Sequence, residues 1–412
     1  MNALRIDSNR LVQRLKDLGK VGSTGDGGCC RLALTEEDKA GRDLVTAWMR
    51  DLGLHVTIDA IGNAVGVWQV GSGRPVMMGS HIDTVRTGGI YDGNLGVLAG
   101  LEVIATLQRA GVTPRRPLAV AFFTDEEGAR FAPDMLGSLV YVGGLDLAVA
   151  LDTVAIDGAR LGDELQRIGY AGAASCPAVE APHAFVELHV EQGPRLEVEG
   201  RRIGVVTGVQ GISWKELTIL GQSNHAGTTP MALRHDPAYA AAAIAVFLRQ
   251  LAAEFGGDQV CTVGKIDLFP NLINVVPAQA VLTLDVRNTD EERLQQAEAR
   301  IDAFCRDLAE KEGVQLQFRT LARFAPVVFD PRVDEVIETV ARDLGLSTLR
   351  MPSGAGHDAQ MLARLCPAAM IFTQSHRGVS HNPAEYTDPT NLAEGCNVLL
   401  HTVLRLADTD FV

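Results

Sequence analysis

The sequence predicts an α/β protein of two domains, one of them inserted into the other. Short apolar runs with strand character alternate with helical patterns in the first part of the chain, which is typical of an α/β layer with a largely parallel sheet. Between about Gly208 and Arg323 the order becomes strand, helix, strand, strand, helix, strand, as in a ferredoxin-like sandwich. After this segment, the pattern of alternating helices and strands resumes. We therefore predict a discontinuous first domain, residues 1–207 and 324–412, around an inserted domain, residues 208–323.

The individual elements follow from hydrophobic spacing and capping residues. Apolar residues recur at helical spacing in Ser8–Lys20, and Thr35 is a suitable N-cap for a helix to Leu52 because Asp38 follows three residues later. A longer helical pattern runs from Leu95 to Leu107. The other elements predicted for the first domain are strands Val56–Asp59, Ala64–Gln69, Val76–Gly79, Leu118–Thr124 and Ala184–Glu191, helices Val333–Leu344 and Asp358–Cys366, strand Ala368–Thr373 and helix Asn391–Leu406. Those predicted for the inserted domain are strand Trp214–Leu220, helix Asp236–Phe255, strands Cys261–Leu268 and Ala280–Arg287, helix Glu291–Glu312 and strand Val314–Phe318.

The chain is acidic, with a formal net charge of -14 at pH 7. A nucleic-acid-binding surface must be basic to displace counterions from phosphates, so neither nucleic acid nor an anionic membrane is an expected partner. A small anionic substrate remains compatible with this charge, since one buried arginine can bind it locally. Because no run of about 18 apolar residues occurs, we expect no membrane-spanning helix.

The cysteines indicate the redox environment. There are seven, an odd number with irregular spacing, and no Cys-x-x-Cys pair occurs. This usage favours neither a disulfide framework nor a thiolate zinc site. The N-terminal residues contain no apolar segment of a signal peptide, so we expect a reducing, cytoplasmic location.

A first candidate motif follows a predicted strand at His81 and Asp83. The C-terminal ends of strands are where open α/β sheets bind ligands. Residues two apart point the same way in an extended chain, so Asp83 could orient the imidazole of His81. Asp92 follows within the segment Gly88–Gly93, whose glycines let a carboxylate approach its neighbours. A loop of turn residues without function is the alternative, and these residues alone do not decide against it.

A second candidate motif ends the strand Leu118–Thr124. Glu126 and Glu127 are adjacent there and therefore point in different directions, so one can bind a metal ion while the other reaches a water molecule. This division predicts general-base catalysis by Glu126 and metal ligation by Glu127. A solvated acidic turn is the alternative.

Two further histidines occupy comparable positions. His189 lies on the polar face of an alternating strand, and His381 lies in a polar loop after an apolar strand. Each is unremarkable alone. Together with His81, Asp92 and Glu127 they form a mixed nitrogen and oxygen ligand set, typical of hydrolases in which a shared carboxylate bridges two ions. Such a set suits Zn²⁺, and also Mn²⁺, Co²⁺ or Ni²⁺.

Seven motifs complete this pattern and extend over nearly the whole chain: Gly79–Val85, Gly88–Gly93, Thr124–Phe131, His189–Pro194, Ser223–Met231, Ser353–Ala359 and Ser380–Pro383. On these motifs the chain resembles the hydantoinase/carbamoylase branch of the metal-dependent peptidase and amidase superfamily that includes aminoacylases and carboxypeptidases. The motifs at His189 and Thr228 separate this branch from the peptidase branches.

The resemblance implies an exopeptidase-like catalytic domain that binds two divalent metal ions per subunit. Glu126 is similar to the family's general base, which takes a proton from a bridging water and passes it to the leaving nitrogen. Asp83 is the second implied catalytic residue in this domain, and it would orient the imidazole of His81. The implied ligands are His81, Asp92 and His189 for one ion, and Asp92, Glu127 and His381 for the other.

The resemblance also implies that the inserted domain is a lid and dimerisation domain. His225 and Asn274 are similar to residues that bind substrate and stabilise the tetrahedral oxyanion in the active site of the partner subunit of a homodimer. Arg287 ends an alternating strand and suits a bidentate grip on a substrate carboxylate, with a surface ion pair as its alternative. In the catalytic domain, Gln192 and Gly356 are the implied substrate contacts.

The leading hypothesis is metal-dependent hydrolysis of the linear C–N amide bond of an N-carbamoyl-L-amino acid. Allantoate amidohydrolase and β-ureidopropionase activities remain open, since these substrates all carry a ureido group and a carboxylate. An N-acyl-L-amino acid amidase is a further alternative. The motifs at Gln192 and Thr228 count against a metallo-exopeptidase, and the presence of Glu126 counts against a non-catalytic binding protein.

Overall fold

The computed structural model describes residues 4–410, which form two compact units. The first unit runs to Gly208 and resumes at Val328, and the second is Val209–Val327. The second unit is therefore an insertion in the chain of the first. All seven cysteines are free, as their spacing indicates.

Helices and strands alternate along the first segment of the chain. Its helices are α1 (Ser8–Gly19), α2 (Glu36–Asp51), α3 (Asn94–Ala110), α4 (Leu136–Tyr141), α5 (Leu147–Leu151), α6 (Leu161–Ile168) and α7 (Arg195–Val198). Its strands are β1 (His55–Ile58), β2 (Ala64–Trp68), β3 (Val76–His81), β4 (Leu118–Phe123), β5 (Ala184–Val190) and β6 (Ile203–Val209).

The rest of the chain adds nine strands and five helices among the described residues. The second unit contains β7 (Gly211–Leu220), β8 (Asn224–His225), α8 (Pro237–Phe255), β9 (Val260–Phe269), β10 (Val275–Val276), β11 (Gln279–Asn288), α9 (Glu291–Glu312) and β12 (Gln315–Phe324). The last segment contains β13 (Val327–Val328), α10 (Pro331–Asp343), β14 (Thr348–Ser353), α11 (Asp358–Leu362), β15 (Ala368–Thr373) and α12 (Pro389–Asp408).

A mixed nine-stranded sheet forms the centre of the first unit. Its order is β1-β2-β4-β3-β5-β15-β6-β13, and β14 pairs with β6. The strands β4, β3, β5 and β15 are parallel, whereas β2 and β6 join them antiparallel and β1 pairs antiparallel with β2. The expectation of a largely parallel sheet is thus correct only for the centre. At the edge it is wrong, because only five residues separate β1 from β2, and so short a connection permits only antiparallel pairing.

The parallel centre brings the candidate motifs to one edge of the sheet. β3 ends at His81, β4 ends just before the Glu126 and Glu127 pair, and β5 carries His189 one residue from its end. The loop that follows β15 carries His381. These four strands are neighbours and their residues are buried throughout, so their carboxyl ends bring the four motifs together.

Most predicted elements agree with the structure to within a few residues. The Thr35 side chain accepts the main-chain N–H of Asp38 and caps α2, as its position predicts. The helix predicted to reach Cys366 ends earlier, at Leu362. Helices α4 to α6 and strands β6 and β14 were not among the predicted elements, because their apolar runs are short and lie between glycines.

The second unit is a four-stranded antiparallel sheet of order β12-β7-β11-β9 with two helices on one face. Its core joins the inner residues of β7 and β11 to α8 and α9, and the rings of Phe247 and Phe304 stack between the two helices at 4.0 Å. In the described part of the chain α8 alone is long and apolar enough to cross a membrane by length and composition. We expected no helix of this kind, but the many alanines of α8 raise its mean hydropathy. Its residues Ile244 and Leu248 pack in the core of the second unit.

Candidate metal centre

The approach of Asp92 to His81 depends on the glycine that follows Asp92. Gly93 has φ +63°, and a Cβ at this position would lie 2.4 Å from the ring of His81. No other residue fits in that space without displacing the imidazole. The prediction that glycines let this carboxylate come close to its neighbours agrees with this geometry.

One group of possible ligands is formed by His81, Asp92 and His189, all buried. Asp92 Oδ1 lies 3.2 Å from His189 Nε2 and 3.7 Å from His81 Nε2. A second group is formed by Asp92, Glu127 and His381. His381 Nε2 lies 3.4 Å from Asp92 Oδ2 and 3.3 Å from Glu127 Oε2. The two oxygens of the Asp92 carboxylate therefore face different groups, which is the arrangement of a bridging ligand.

The distances within both groups fit a divalent cation. An ion with tetrahedral nitrogen and oxygen ligands at about 2.0–2.2 Å places neighbouring ligand atoms about 3.4 Å apart. The four separations measured from His189, His81 and His381 to the carboxylates, 3.2 to 3.7 Å, are close to this value and longer than most hydrogen bonds. The chemistry of the donors, imidazole and carboxylate, suits the same ions.

Main-chain contacts orient the two buried histidines so that Nε2 of each ring faces the centre. His189 Nδ1 lies 2.8 Å from the main-chain oxygen of Val190, an atom that only accepts, so Nδ1 carries the proton. His189 Nε2 lies 3.1 Å from the main-chain nitrogen of Gly93 and 3.2 Å from Asp92 Oδ1. His81 Nδ1 likewise lies 3.0 Å from a main-chain oxygen. Both Nδ1 atoms thus face main-chain oxygens, which leaves the Nε2 atoms facing Asp92, where each can carry a proton that Asp92 accepts or, once deprotonated, bind an ion.

The electrostatics of the centre favour a positive charge between these groups. Burial alone would raise the pKa of Asp92, but hydrogen bonds from His189, His381 and His81 hold it well below its ordinary value. Asp92 and Glu127 raise the pKa of His381 to about 10. In the absence of a metal ion, protons on the imidazoles supply this charge, so ions and protons compete for the same positions.

Glu126 lies beside both groups without belonging to either. Its Oε2 is 3.3 Å from His81 Nε2. Burial raises the pKa of Glu126 well above its ordinary value, although the His81 charge acts in the opposite direction. A carboxyl group with a raised pKa next to a metal centre can accept a proton and later give it back.

Asp83 has a different main contact from the one predicted. The nearest acceptor to His81 Nδ1 is the main-chain oxygen of Asp83, at 3.0 Å, whereas its carboxylate is 3.8 Å away. The carboxylate instead accepts the main-chain N–H groups of Glu126 and Glu127, both at 3.3 Å. Orientation of His81 by the Asp83 carboxylate is therefore corrected to orientation by its carbonyl, and the carboxylate fixes the two glutamates.

The structure adds a residue that the sequence did not single out, Glu385. Its carboxylate accepts the main-chain N–H groups of Tyr91 and Asp92, each at 3.1 Å. Ser380 donates to this carboxylate and to Asp92 Oδ2, both at 3.2 Å. Burial and the nearby Asp92 raise the pKa of Glu385 to about 7. The only sequence signal for it is its position four residues after His381.

Of the predicted substrate contacts in the first unit, Gln192 lies at the centre. Its Nε2 donates to Asp92 Oδ2 at 2.8 Å. Its Oε1 is buried and has no hydrogen-bond partner within residues 4–410. Gly356 lies in the loop before α11, against Met135. The adjacent His357 packs its ring 4.6 Å from that of His189 and, with Glu187, forms a third group that shares His189.

In the second unit, the structure brings His225 and Asn274 together. Strands β8 and β10 pair as a two-stranded ribbon, and the N–H of Ala226 donates to the main-chain oxygen of Asn274 at 2.9 Å. His225 Nδ1 accepts the N–H groups of Gly227 and Thr228, so its exposed Nε2 carries the proton. An imidazole in this tautomer is a hydrogen-bond donor.

Arg287 makes the ion pair that was its alternative interpretation. Its Nη2 and Nε lie 2.8 and 2.9 Å from the carboxylate of Asp285, on the same face of β11. Its guanidinium also lies 5.6 Å from the ring centre of Trp214. These two contacts hold the guanidinium plane in one orientation. The substrate role of Arg287 stays a prediction.

Comparison with known proteins identifies the family of the chain. Peptidase family M20/M25/M40 matches residues 77–405. The N-carbamoyl-L-amino acid amidohydrolase of Geobacillus stearothermophilus is 40% identical over 407 residues, 98% of this chain and 99% of that protein. The ureidoglycolate hydrolase of Arabidopsis thaliana is 35% identical over 98% of this chain and 88% of that protein. The crystal structure of a hydantoinase/carbamoylase family amidase from Burkholderia multivorans superposes with a TM-score of 0.96, at 40% identity, over 99% of this chain and 100% of that one. The chain therefore belongs to peptidase family M20/M25/M40 and, within it, to the hydantoinase/carbamoylase amidases, which makes it an amidohydrolase.

Proposed function

We propose that this enzyme hydrolyses the linear C–N amide bond of an N-carbamoyl-L-amino acid or a similar ureido carboxylate, with two divalent ions bound by the two ligand groups. The observation that carries the proposal is Asp92, whose two oxygens face different sets of imidazole and carboxylate donors. Zn²⁺ suits these donors best, and Mn²⁺, Co²⁺ and Ni²⁺ are the alternatives. The named activity of the Geobacillus relative supports the same substrate class.

The residues of the chain would divide the work as follows. Bound divalent ions would polarise the scissile carbonyl and lower the pKa of a water molecule. Glu126 would accept a proton from the attacking water on its carboxylate and deliver it to the leaving nitrogen, which matches its raised pKa and its position outside both ligand groups. Asp83 would hold Glu126 through the main-chain N–H that its carboxylate accepts.

Gln192 supports a carbamoyl rather than an acyl substrate. A carbamoyl group ends in an NH₂ donor, and an acyl group does not. Gln192 Oε1 is a buried acceptor without a partner in the described chain, next to Asp92. Satisfying such an atom stabilises a complex by about 1–3 kcal/mol relative to one that leaves it unpaired. N-acyl-L-amino acid amidase activity is thus the weaker alternative.

A second candidate substrate is ureidoglycolate. The hydrolases of this name from Arabidopsis thaliana and from rice are 35% and 34% identical to this chain over 98% of its length. Allantoate and 3-ureidopropionate share the ureido group and the carboxylate. A panel of these compounds with N-carbamoyl, N-formyl and N-acetyl amino acids, assayed for ammonia or amine release after reconstitution with each metal ion, separates the candidates. An enzyme active on all amides without metal would overturn the proposal.

We further propose that the second unit is a ferredoxin-like lid and dimerisation domain. Its four-stranded order and its two helices support the first part. The outer strand β9 is largely exposed. The neighbouring helix α8 is apolar, but only 28% of its apolar stretch is buried. A second copy of the chain would cover both surfaces. His225 and Asn274 would then act in the partner's active site, and Arg287 would bind the substrate carboxylate. We expect a homodimer in the cytoplasm.

Mixed dimers test the action of His225 across subunits. A dimer of one His225→Ala chain and one Glu126→Gln chain contains one complete site if His225 acts on the partner, and none if it acts within its own chain. Each homodimeric variant is the control and should be nearly inactive. Co-expressed variants should recover about a quarter of the wild-type activity, since random pairing makes half of the dimers mixed and each has one intact site. No recovery would contradict the proposal.

A further inference from the structure

The segment between α1 and α2 contains a fully buried arginine, Arg31. Buried guanidinium groups are usually paired with carboxylates, as Arg42 is with Asp38. In the described chain, 4–410, every acceptor of the Arg31 side chain is uncharged. Its guanidinium donates to three main-chain oxygens, one amide oxygen and the sulfur of Cys29, so the role of this charge is not neutralisation of a carboxylate.

Two of these acceptors lie on the segments that carry His81 and Asp92. Arg31 Nε donates to the main-chain oxygen of Ile82 at 2.6 Å, directly after His81. Nη2 donates to Asn94 Oδ1 at 2.8 Å, two residues after Asp92. One rigid planar group thus spans both segments, while Nη1 anchors it to main-chain oxygens at the end of α1.

The main chain of Arg31 strengthens the same connection. Its N–H donates to Thr84 Oγ1 at 2.8 Å, and its carbonyl accepts the N–H of Thr84 at 2.9 Å. Two residues earlier, Cys29 donates its N–H to the carbonyl of Gly88 at 2.9 Å. The chain around Arg31 is therefore fixed along the segment that leads from His81 to Asp92.

We infer that Arg31 is a positioning residue of the metal centre, which sets the separation between His81 and Asp92. The inference rests on the proposed two-ion centre. Metal ligands must be held to within about 0.5 Å, and the partners that orient ligands typically contribute 10–100-fold to metal affinity. Ile82 and Asn94 would lose their common donor in an Arg31 variant, so the two ligand segments could move apart.

Metal affinity of the folded protein tests this inference without reference to catalysis. Metal-free wild type, Arg31→Met and Arg31→Lys are titrated with Zn²⁺ in competition with a chromophoric chelator, after circular dichroism shows that each is folded. Arg31→Met should bind Zn²⁺ at least about tenfold more weakly. Arg31→Lys should remain weak, because an ammonium cannot reach Ile82 and Asn94 together. Full affinity in either variant would overturn the inference.

Arg10→Met is the matched control. Arg10 is also partly buried and hydrogen-bonded, to Glu102 on α3, but it touches neither ligand segment. The Arg10→Met substitution should lower the thermal stability of the protein and leave its Zn²⁺ affinity unchanged. If Arg31→Met does not fold, Asn94→Ala is the second variant, because it removes only one acceptor of Arg31. This variant should bind Zn²⁺ several-fold more weakly than the wild type. An unchanged Zn²⁺ affinity of Asn94→Ala would also overturn the inference. A wild-type protein that binds no Zn²⁺ would instead refute the proposed function.

Discussion

Replacement of Glu126 by glutamine should abolish most turnover while leaving metal binding intact. Glutamine has nearly the same shape but cannot accept a proton, and general-base groups contribute ~10²–10⁴-fold to rate. The corresponding increase in the activation free energy is about 3–5 kcal/mol. Glu126 lies outside both ligand groups, so the content of bound metal should match that of the wild type.

The stability of this variant gives an independent check. Burial raises the pKa of Glu126, which means that its charged form is destabilised in the folded protein. A neutral glutamine avoids that cost, so the metal-free variant should unfold at the same temperature as the wild type or above it. The assay is kcat for ammonia release, with metal analysis and thermal unfolding of the same samples. A kcat within about threefold of wild type, with full metal content, would refute general-base catalysis by Glu126.

Four further results are expected. Glu127→Gln should lose one bound ion as well as activity, in contrast to Glu126→Gln, and metal analysis of both variants distinguishes a ligand from a base. In the metal-free protein the pKa of His381 is raised to about 10. Its protonation therefore contributes fully to the stability of the fold below about pH 6.5, and this contribution is lost as the pH rises through 10. The unfolding temperature of the metal-free wild type should fall over this pH range, whereas that of His381→Ala should lack this fall. Gln192→Met should lower kcat/KM for an N-carbamoyl amino acid about tenfold more than for its N-formyl analogue, and an equal loss for both would contradict recognition of the terminal NH₂. Arg287→Lys should raise KM for carboxylate substrates, whereas Arg319→Lys, whose exposed side chain pairs with Glu216, should not, and an equal loss on an uncharged amide would argue against Arg287 as the carboxylate ligand.

Sequence patterns predicted the position of the candidate centre because it depends on strand ends. A buried apolar run followed directly by a histidine or a carboxylate is visible in one dimension, and parallel strands bring such residues to one edge. His81 and Glu127 were found in this way, His189 was found on the polar face of an alternating strand, and the structure brings all three close to Asp92. His381 had the weakest signal, because it lies in a polar loop after an apolar strand and joined the set only in combination with the other ligands.

Contacts between distant loops could not be predicted from periodicity. Glu385 binds the main chain of Asp92 across 293 residues of sequence, and Arg31 reaches Asn94 across 63. Neither contact leaves a spacing signal, because Glu385, Asp92 and Arg31 lie in irregular segments and Asn94 lies at the very start of α3. Asp83 shows a related limit. The sequence spacing correctly predicted that Asp83 contacts His81, but only the structure shows that its main-chain carbonyl, and not its carboxylate, makes the closer contact. The antiparallel edge of the large sheet was misread in spite of a visible five-residue connection.

The number of ions bound by the wild type and by Asp92→Asn tests the central claim most directly. Each metal-free protein is reconstituted with Zn²⁺, freed of excess metal, and analysed by mass spectrometry of the metal against protein concentration. If Asp92 bridges two ions, the wild type binds two per chain and Asp92→Asn loses both, because one carboxylate contributes an oxygen to each group. A variant that keeps both ions, or a wild type that binds a single ion, would contradict a shared two-ion centre at Asp92.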